Sequence, residues 1–378
     1  MPSTFKRINN WLHLWLGLAS GIVVFIVAIT GALYVFHQEI EDSLQPWRFV
    51  EAQDQAFAPP SQLIDTARFY IPYIEPTGLT YEDKEGAAAV GFIYNDEGRI
   101  AFEVVYMNPY TARFIKKEEP MGKGRFNFFH FIEDGHRDLW LPDYIGRKII
   151  GISTLIFLII LISGLIMWWP KKWNKQQLKR SLTLKRNNNR KRLILDLHNV
   201  LGFYILLFGC VFAITGLVWS FNWFGDAFYY ITSGGEQKAE HEHPHSDINM
   251  AHLAETDSIP AIDRAFYLTL AQEKDPKRIY MSPTLKEKDE SIEVVVGLIK
   301  GKYYKHNEYF YDQYTLKPIR VKGDRYNESD FADKLEKMNY DIHTGAILGL
   351  PGKILAFLIS LIIASLPITG FILWWNRR

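Results

Sequence analysis

The chain has 378 residues, enough for several domains, and its 43 Lys and Arg nearly balance 42 Asp and Glu, leaving a formal charge of +1. That balance offers nothing to a nucleic-acid partner. The single cysteine, Cys210, excludes an intrachain disulfide, a four-cysteine iron–sulfur cluster and covalent Cys-x-x-Cys-His haem attachment.

In chain order, residues 1–11 are a short N-terminal segment carrying Lys6 and Arg7, followed by an expected membrane span over 12–37. Residues 12–36 hold no acidic or basic side chain other than His13, and a span needs about 20 apolar residues. The run is too long for a signal-peptide core, and Tyr34-Val35-Phe36-His37 offers no small-residue cleavage site, so a retained anchor is expected. Residues 38–145 form a polar stretch of domain size. Within it, 61–69 have helical spacing, and 88–94 and 100–107 are β-rich around the turn Asn95-Asp96-Glu97-Gly98. A second span is expected over 146–169, then a basic loop over 170–195.

That loop holds Lys171, Lys172, Lys175, Lys179, Arg180, Lys185, Arg186, Arg190, Lys191 and Arg192 and no acid before Asp196. Its place between two spans makes it a topology signal rather than a nucleic-acid patch. A third span is expected over 196–222 and a second polar stretch over 223–351, helical at 261–272 and β-like at 291–298 and 309–311. The fourth span covers 352–375 and a basic end 376–378. The positive-inside rule puts both termini and the basic loop in the cytoplasm and both polar stretches outside. Trp11, Trp15, Trp168, Trp169, Trp219, Trp223, Trp374 and Trp375 mark span ends, as an aromatic belt does.

The two halves repeat. His13-Leu14-Trp15-Leu16-Gly17 and Ala28-Ile29-Thr30-Gly31 recur, offset by 185 residues, as His198-Asn199-Val200-Leu201-Gly202 and Ala213-Ile214-Thr215-Gly216. The end of span two, Leu161-Ile162-Ser163-Gly164 to Trp168-Trp169, recurs as Pro367-Ile368-Thr369-Gly370 to Trp374-Trp375. His136 lies 32 residues before Trp168 and His343 lies 31 before Trp374.

Histidine in a membrane span is costly and marks function. His13 and His198 open spans one and three at the cytoplasmic side; His136 and His343 precede spans two and four at the outer side. Two pairs result, one per face. Haem iron takes two axial imidazoles, and b-type haem needs no cysteine. Facing helices in bundles place such ligands inward. A stripe of small residues accompanies each first histidine: Gly17, Val24, Ala28 and Gly31 on span one, Gly202, Gly209, Ala213 and Gly216 on span three. The stripe leaves room for a flat macrocycle or for close helix packing. His130 and His37 are second candidates for the outer site. His241, His243, His245 and His252 form a histidine-rich tract that reads as a solvated loop, with metal capture as the alternative. There is no nucleotide-binding glycine motif, P-loop, His-Glu-x-x-His or Gly-x-Ser-x-Gly, so electrons would come from a separate donor.

Nearly the whole chain resembles the PepSY-associated transmembrane family, which includes bacterial inner-membrane ferric-siderophore reductases. The resemblance rests on Tyr340-Asp341-Ile342-His343-Thr344-Gly345, Gly349-Leu350-Pro351-Gly352-Lys353-Ile354 and Ile368-Thr369-Gly370 with Trp374-Trp375. His136-Arg137-Asp138-Leu139 is similar to the family's His-Arg-x-Leu pattern. Asn108-Pro109-Tyr110-Thr111 resembles its Asp-Pro-Tyr-Thr-Gly turn, with Asn for Asp and Ala112 for Gly; Asp312-Gln313-Tyr314-Thr315-Leu316 also lacks the glycine.

The resemblance implies an inner-membrane protein: a four-helix transmembrane bundle with two α+β PepSY-like periplasmic domains, duplicated internally. For the reductase members it implies b-type haems, two here, and reduction of a ferric siderophore or other ferric chelate in the periplasm. The matching positions are His13, His198, His136 and His343, with a cytoplasmic or quinol electron donor. The alternatives are a non-enzymatic envelope protein that binds or inhibits a periplasmic partner, and an accessory subunit of iron or haem uptake.

Overall fold

The computed structural model describes residues 4–96, 99–118, 127–170, 174–184, 189–238, 243–256, 258–285 and 287–376. The turn residues Glu97 and Gly98, the loop residues Lys171, Lys172, Lys185 and Arg186, His241 and Glu242 of the histidine-rich tract, and Arg377 and Arg378 lie outside them.

The chain runs α1 (Thr4–Tyr34), α2 (His37–Leu44), α3 (Pro60–Tyr70), β1 (Gly78–Tyr81), β2 (Ala88–Asp96), β3 (Arg99–Met107) and β4 (Phe114–Glu118). It continues with α4 (Phe128–Arg137), α5 (Asp143–Trp168), α6 (Lys175–Leu182), α7 (Arg190–Tyr204), α8 (Leu206–Ser220), α9 (Asn222–Thr232) and α10 (Ala261–Gln272). It closes with β5 (Arg278–Met281), β6 (Ile292–Gly297), β7 (His306–Tyr311), β8 (Pro318–Ile319), α11 (Phe331–His343) and α12 (Leu350–Trp375). Two compact units result. One comprises Met1–Gln38, Phe128–Ile231 and Asn339–Arg378; the other comprises Glu39–Asn127 and Thr232–Met338.

In the first unit, α1, α5 and α12 are long and apolar enough to cross a membrane, with 31, 26 and 26 residues. At 1.5 Å per residue, each exceeds the ~30 Å hydrocarbon core. The expected third span, 196–222, differs from the other three. It is a pair, α7 and α8, bent by 62° at Ile205. The bend lies between Gly202 and Gly209, and glycine weakens a helix because its backbone has more freedom to lose. Ala28, Leu161, Ile205, Ile359, Ile363 and Ala364 pack as the apolar centre of this unit.

The second unit corrects one expectation. Each polar stretch was expected to fold as a domain with its own sheet, over 38–145 and 223–351. Instead each contributes four strands to a single antiparallel sheet, ordered β4-β3-β2-β1-β5-β6-β7-β8. The halves join where β1 pairs with β5, at Leu79 with Met281, Thr80 with Tyr280 and Tyr81 with Ile279. The physical reason is the open edge. Separate sheets would leave β1 and β5 with unpaired N–H and C=O groups, and pairing them satisfies both. Helices α3 and α10 supply Leu63, Ile64 and Ala67, and Ala265 and Phe266, to the core behind the sheet. They are also linked across the halves. The backbone N–H of Ser61 donates to Asp263 Oδ1 at 2.8 Å, and its hydroxyl donates to Oδ2 at 2.5 Å.

The turns after β3 and β7 close in the same way. Asn108 Oδ1 accepts from the backbone N–H of Tyr110 and Thr111, and Asp312 Oδ1 from that of Tyr314 and Thr315. One residue beyond, where the family pattern has glycine, Ala112 and Leu316 take the left-handed conformation at φ 53° and 56°. The backbone therefore takes a left-handed turn at both places without a glycine. A non-glycine there costs roughly 1–2 kcal/mol. Ala112→Gly is therefore expected to raise the thermal unfolding temperature slightly. Leu316→Gly is expected to lower it, because Leu316 is buried in the core and its loss outweighs the relieved strain. Equal shifts for both variants would contradict this account.

Glu308 on β7 sits beside the His306 ring at 3.0 Å and the Lys337 ammonium at 3.1 Å. Burial alone would raise its pKa. The hydrogen bonds and charges of His306 and Lys337 outweigh burial and hold the carboxyl at about 2, below its ordinary 4.5. A depressed carboxyl stabilises the fold above its unfolded pKa, and that stability disappears as pH falls through the folded value. Glu308→Gln is expected to be less stable than the wild type at pH 7, with the gap narrowing between pH 4.5 and 2. Thermal unfolding in detergent across that range is the check, and a constant gap would contradict it.

Candidate functional site

Each of the four expected histidines lies against a hydroxyl residue followed by glycine on a neighbouring helix. His13 Nδ1 is 2.8 Å from Ser163 Oγ, and His198 Nδ1 is 2.9 Å from Thr369 Oγ1. His343 Nδ1 is 2.7 Å from Thr215 Oγ1. His136 Nδ1 is 2.9 Å from the Val27 carbonyl and 3.4 Å from Thr30 Oγ1. The glycines Gly164, Gly370, Gly216 and Gly31 come next in sequence. A Cβ on Gly31 would stand 2.9 Å from Cε1 of His136, and one on Gly164 would stand 3.2 Å from Cε1 of His13. Gly31 has no room for a side chain unless the ring shifts, and at Gly164 the ring would have to give by a few tenths of an ångström. Gly370 and Gly216 leave slightly more, at 3.4 and 3.6 Å from Cε1 of His198 and His343.

The hydroxyls also decide which ring nitrogen carries the proton. Each already donates its only hydrogen to its own helix: Ser163 to the Ile160 carbonyl at 2.9 Å, Thr369 to Ser365 at 3.0 Å, Thr215 to Val211 and Thr30 to Ile26, both at 2.7 Å. A hydroxyl so committed can only accept from the imidazole. The Val27 carbonyl can only accept as well. All four rings are therefore assigned as protonated on Nδ1, which leaves a lone pair on Nε2. Among the described residues no hydrogen bond engages those four Nε2 atoms. Neutral imidazole with Nδ1–H anchored and Nε2 open is the form that binds a metal.

The rings come in two pairs. His13 and His198 have ring centres 6.3 Å apart with planes at 89°. His136 and His343 have centres 6.1 Å apart with planes at 62°. Metal–imidazole bonds of about 2.0–2.1 Å on either side of one ion, plus the two ring radii, set ring centres about 6 Å apart. The ring-centre separation of each pair is therefore compatible with one metal ion between the two imidazoles. Each also lines a cavity. The cavity at His136 and His343 measures about 540 Å³, and that at His13 and His198 about 280 Å³. The first falls within the roughly 300–1,000 Å³ of cofactor pockets and the second just below it. Val24 and Phe157 line both.

The small-residue stripe divides between the cavities. Gly17 and Gly202 line the smaller, and Ala28, Gly31, Ala213 and Gly216 the larger. Gly209 lines neither; it packs on Leu161 of α5. The second candidates for the outer site stand apart from both cavities. His37 stacks on Tyr34 at 4.0 Å, with Nδ1 bonded to the Tyr34 carbonyl. His130 Nε2 lies 3.5 Å from Asp134. Of the histidine-rich tract, His245 lies 3.1 Å from Asp289 and His252 is exposed. Among the described residues no group of three or more His, Cys, Asp or Glu is placed to hold a metal ion.

Sequence reasoning missed the residues that hold the rings. Ser163, Thr369, Thr215 and Thr30 stood in the repeated Ile-Ser-Gly and Ile-Thr-Gly tripeptides, which were legible as repeats but not as partners. It also missed Asn9 and Asn339, each four residues before a histidine. Their side-chain amides donate to the backbone carbonyls of Ser163 and Thr215, both at 3.1 Å. Two of the four hydroxyl residues are thus gripped twice. Gly146 and Gly352, near the starts of α5 and α12, pack against the Asp138 and Gly345 carbonyls just beyond the histidine-bearing helices. No Cβ fits at either.

No curated protein sequence matches the chain. The family described as the PepSY-associated TM region matches residues 10–377, nearly its full length. With three apolar helices of spanning length and a bent pair that can make a fourth, this is a membrane protein. The chain belongs to the PepSY-associated TM region family.

Proposed function

We propose that the protein is a bacterial inner-membrane reductase that carries two b-type haems and reduces a ferric chelate, such as a ferric siderophore, in the periplasm. The observation that carries this reading is the pair of imidazole pairs. Each has Nε2 free, each lines its own cavity, and the two lie at opposite ends of α1. His13 and His198 would hold one haem, toward the cytoplasm; His136 and His343 would hold the other, toward the periplasm. Bound there, the haems supply one-electron carriers that link a cytoplasmic or quinol donor to the ferric substrate.

The chain's own residues do the rest. Ser163, Thr369, Thr215 and the Val27 carbonyl keep Nδ1–H anchored, so the rings cannot turn away. The basic loop at 170–195 supports placing both termini in the cytoplasm and the sheet-bearing unit in the periplasm. Reduction releases iron because the hard oxygen ligands of a siderophore favour Fe(III).

Purified protein from haem-replete cells is expected to show a Soret band and sharp α and β bands on reduction. His198→Ala is expected to remove one of two haems and leave the His136–His343 site loaded. A protein without these bands would sink the reductase reading and favour a non-enzymatic envelope role. Full loading of His198→Ala would refute the pairing.

A further inference from the structure

The duplication gives each cavity one histidine from each half, but it breaks at the charged residues of the larger cavity. Among the described residues, the lining of the cavity at His13 and His198 includes no Lys, Arg, Asp or Glu. The cavity at His136 and His343 is lined by Arg137, Arg147 and Glu133. Arg137 directly follows His136, whereas Thr344 follows His343. Arg147 follows Gly146 on α5. The residue after the matching Gly352 is Lys353, which is buried and does not line the cavity. Two guanidinium groups on two different helices therefore meet one cavity, and the repeat supplies neither to the other.

Their present partners hold them weakly. Arg137 lies 3.1 Å from Glu133 and Arg147 lies 2.7 Å from Asp143, each one helical turn away, and all four side chains are partly exposed. Pairs of that kind contribute only tenths of a kcal/mol. A guanidinium is better matched to a carboxylate that it can grip with two parallel N–H bonds. A haem carries two carboxylates, and leaving them unpaired beside apolar walls is costly.

We propose that Arg137 and Arg147 form a carboxylate-binding site in the larger cavity, each taking one acid side chain of the macrocycle. The proposal rests on the haem reading above. It makes the two sites chemically unlike: one holds its ring by axial imidazoles and shape, the other adds two cationic anchors.

The test uses His198→Ala protein, in which only the His136–His343 site is expected to load. Haem-depleted protein is titrated in detergent with haem and with haem dimethyl ester, whose carboxylates are blocked. The free acid is expected to bind about tenfold more tightly or better, the size of charge-assisted hydrogen bonds. Arg137→Gln and Arg147→Gln should each shrink that preference, and the double variant should abolish it while still binding the ester. In redox titration the double variant should show a lower midpoint potential, because two positive charges near the iron are gone. Equal affinity for acid and ester in the parent, or an undiminished preference in the double variant, would overturn the assignment. If the wild type binds no haem at all, the haem reading itself fails. If it binds haem normally and the arginine variants behave as the parent does, only the arginine site fails.

Discussion

A neutral imidazole has one proton and one lone pair, and committing the proton to Nδ1 turns Nε2 into a free donor atom. That commitment is made at all four rings, by a hydroxyl at His13, His198 and His343 and chiefly by the Val27 carbonyl at His136. A Ser or Thr hydroxyl spends its hydrogen on a carbonyl of its own helix and is left able only to accept. The next residue is a glycine, so the imidazole edge can come close enough to be gripped. The helix registers must serve these contacts: α1 against α5 to bring His13 to Ser163, α7 against α12 to bring His198 to Thr369.

Much of this was legible in the sequence because the constraints are local and repeated. The apolar runs marked α1, α5 and α12. The helical spacing at 61–69 and 261–272 became α3 and α10, and the β-rich stretches at 88–94 and 100–107 became β2 and β3. The four histidines were paired by repeat position, and the structure brings together the same partners. What stayed hidden depended on contacts between distant segments. Ile205 carries no signal of a bend, since it is one apolar residue among many. Leu79 and Met281 do not reveal that they are neighbours, because edge pairing is set by the backbone and not by side-chain pattern. The Thr-Gly and Ser-Gly dipeptides were visible, but small and hydroxyl residues also serve ordinary helix packing in membranes. Only their distance from the rings separates the two roles.

The internal repeat is strict where geometry demands it and loose elsewhere. Gly146 and Gly352 occupy matching places because the carbonyls of Asp138 and Gly345 leave no volume for a Cβ. Asn9 and Asn339 grip different members of the hydroxyl set, one beside each histidine pair, and have no counterparts before His198 or His136. The two turns beyond β3 and β7 hold the same left-handed backbone with Ala112 and Leu316 in place of glycine. Backbone N–H groups that donate to the preceding Asn108 and Asp312 side chains hold both turns closed.

The seam between β1 and β5 has a consequence for synthesis. The chain emerges from its N-terminus, so β1 is made about 200 residues before its partner, with α5, α7 and α8 lying between them. Until residues 278–281 appear, the first four strands have an uncovered edge beside a half-finished hydrophobic core. An exposed edge is a template for wrong pairing with any other extended chain. Sharing one sheet between the halves thus makes the young chain dependent on keeping that edge unoccupied until a closure of about 200 residues completes the sheet.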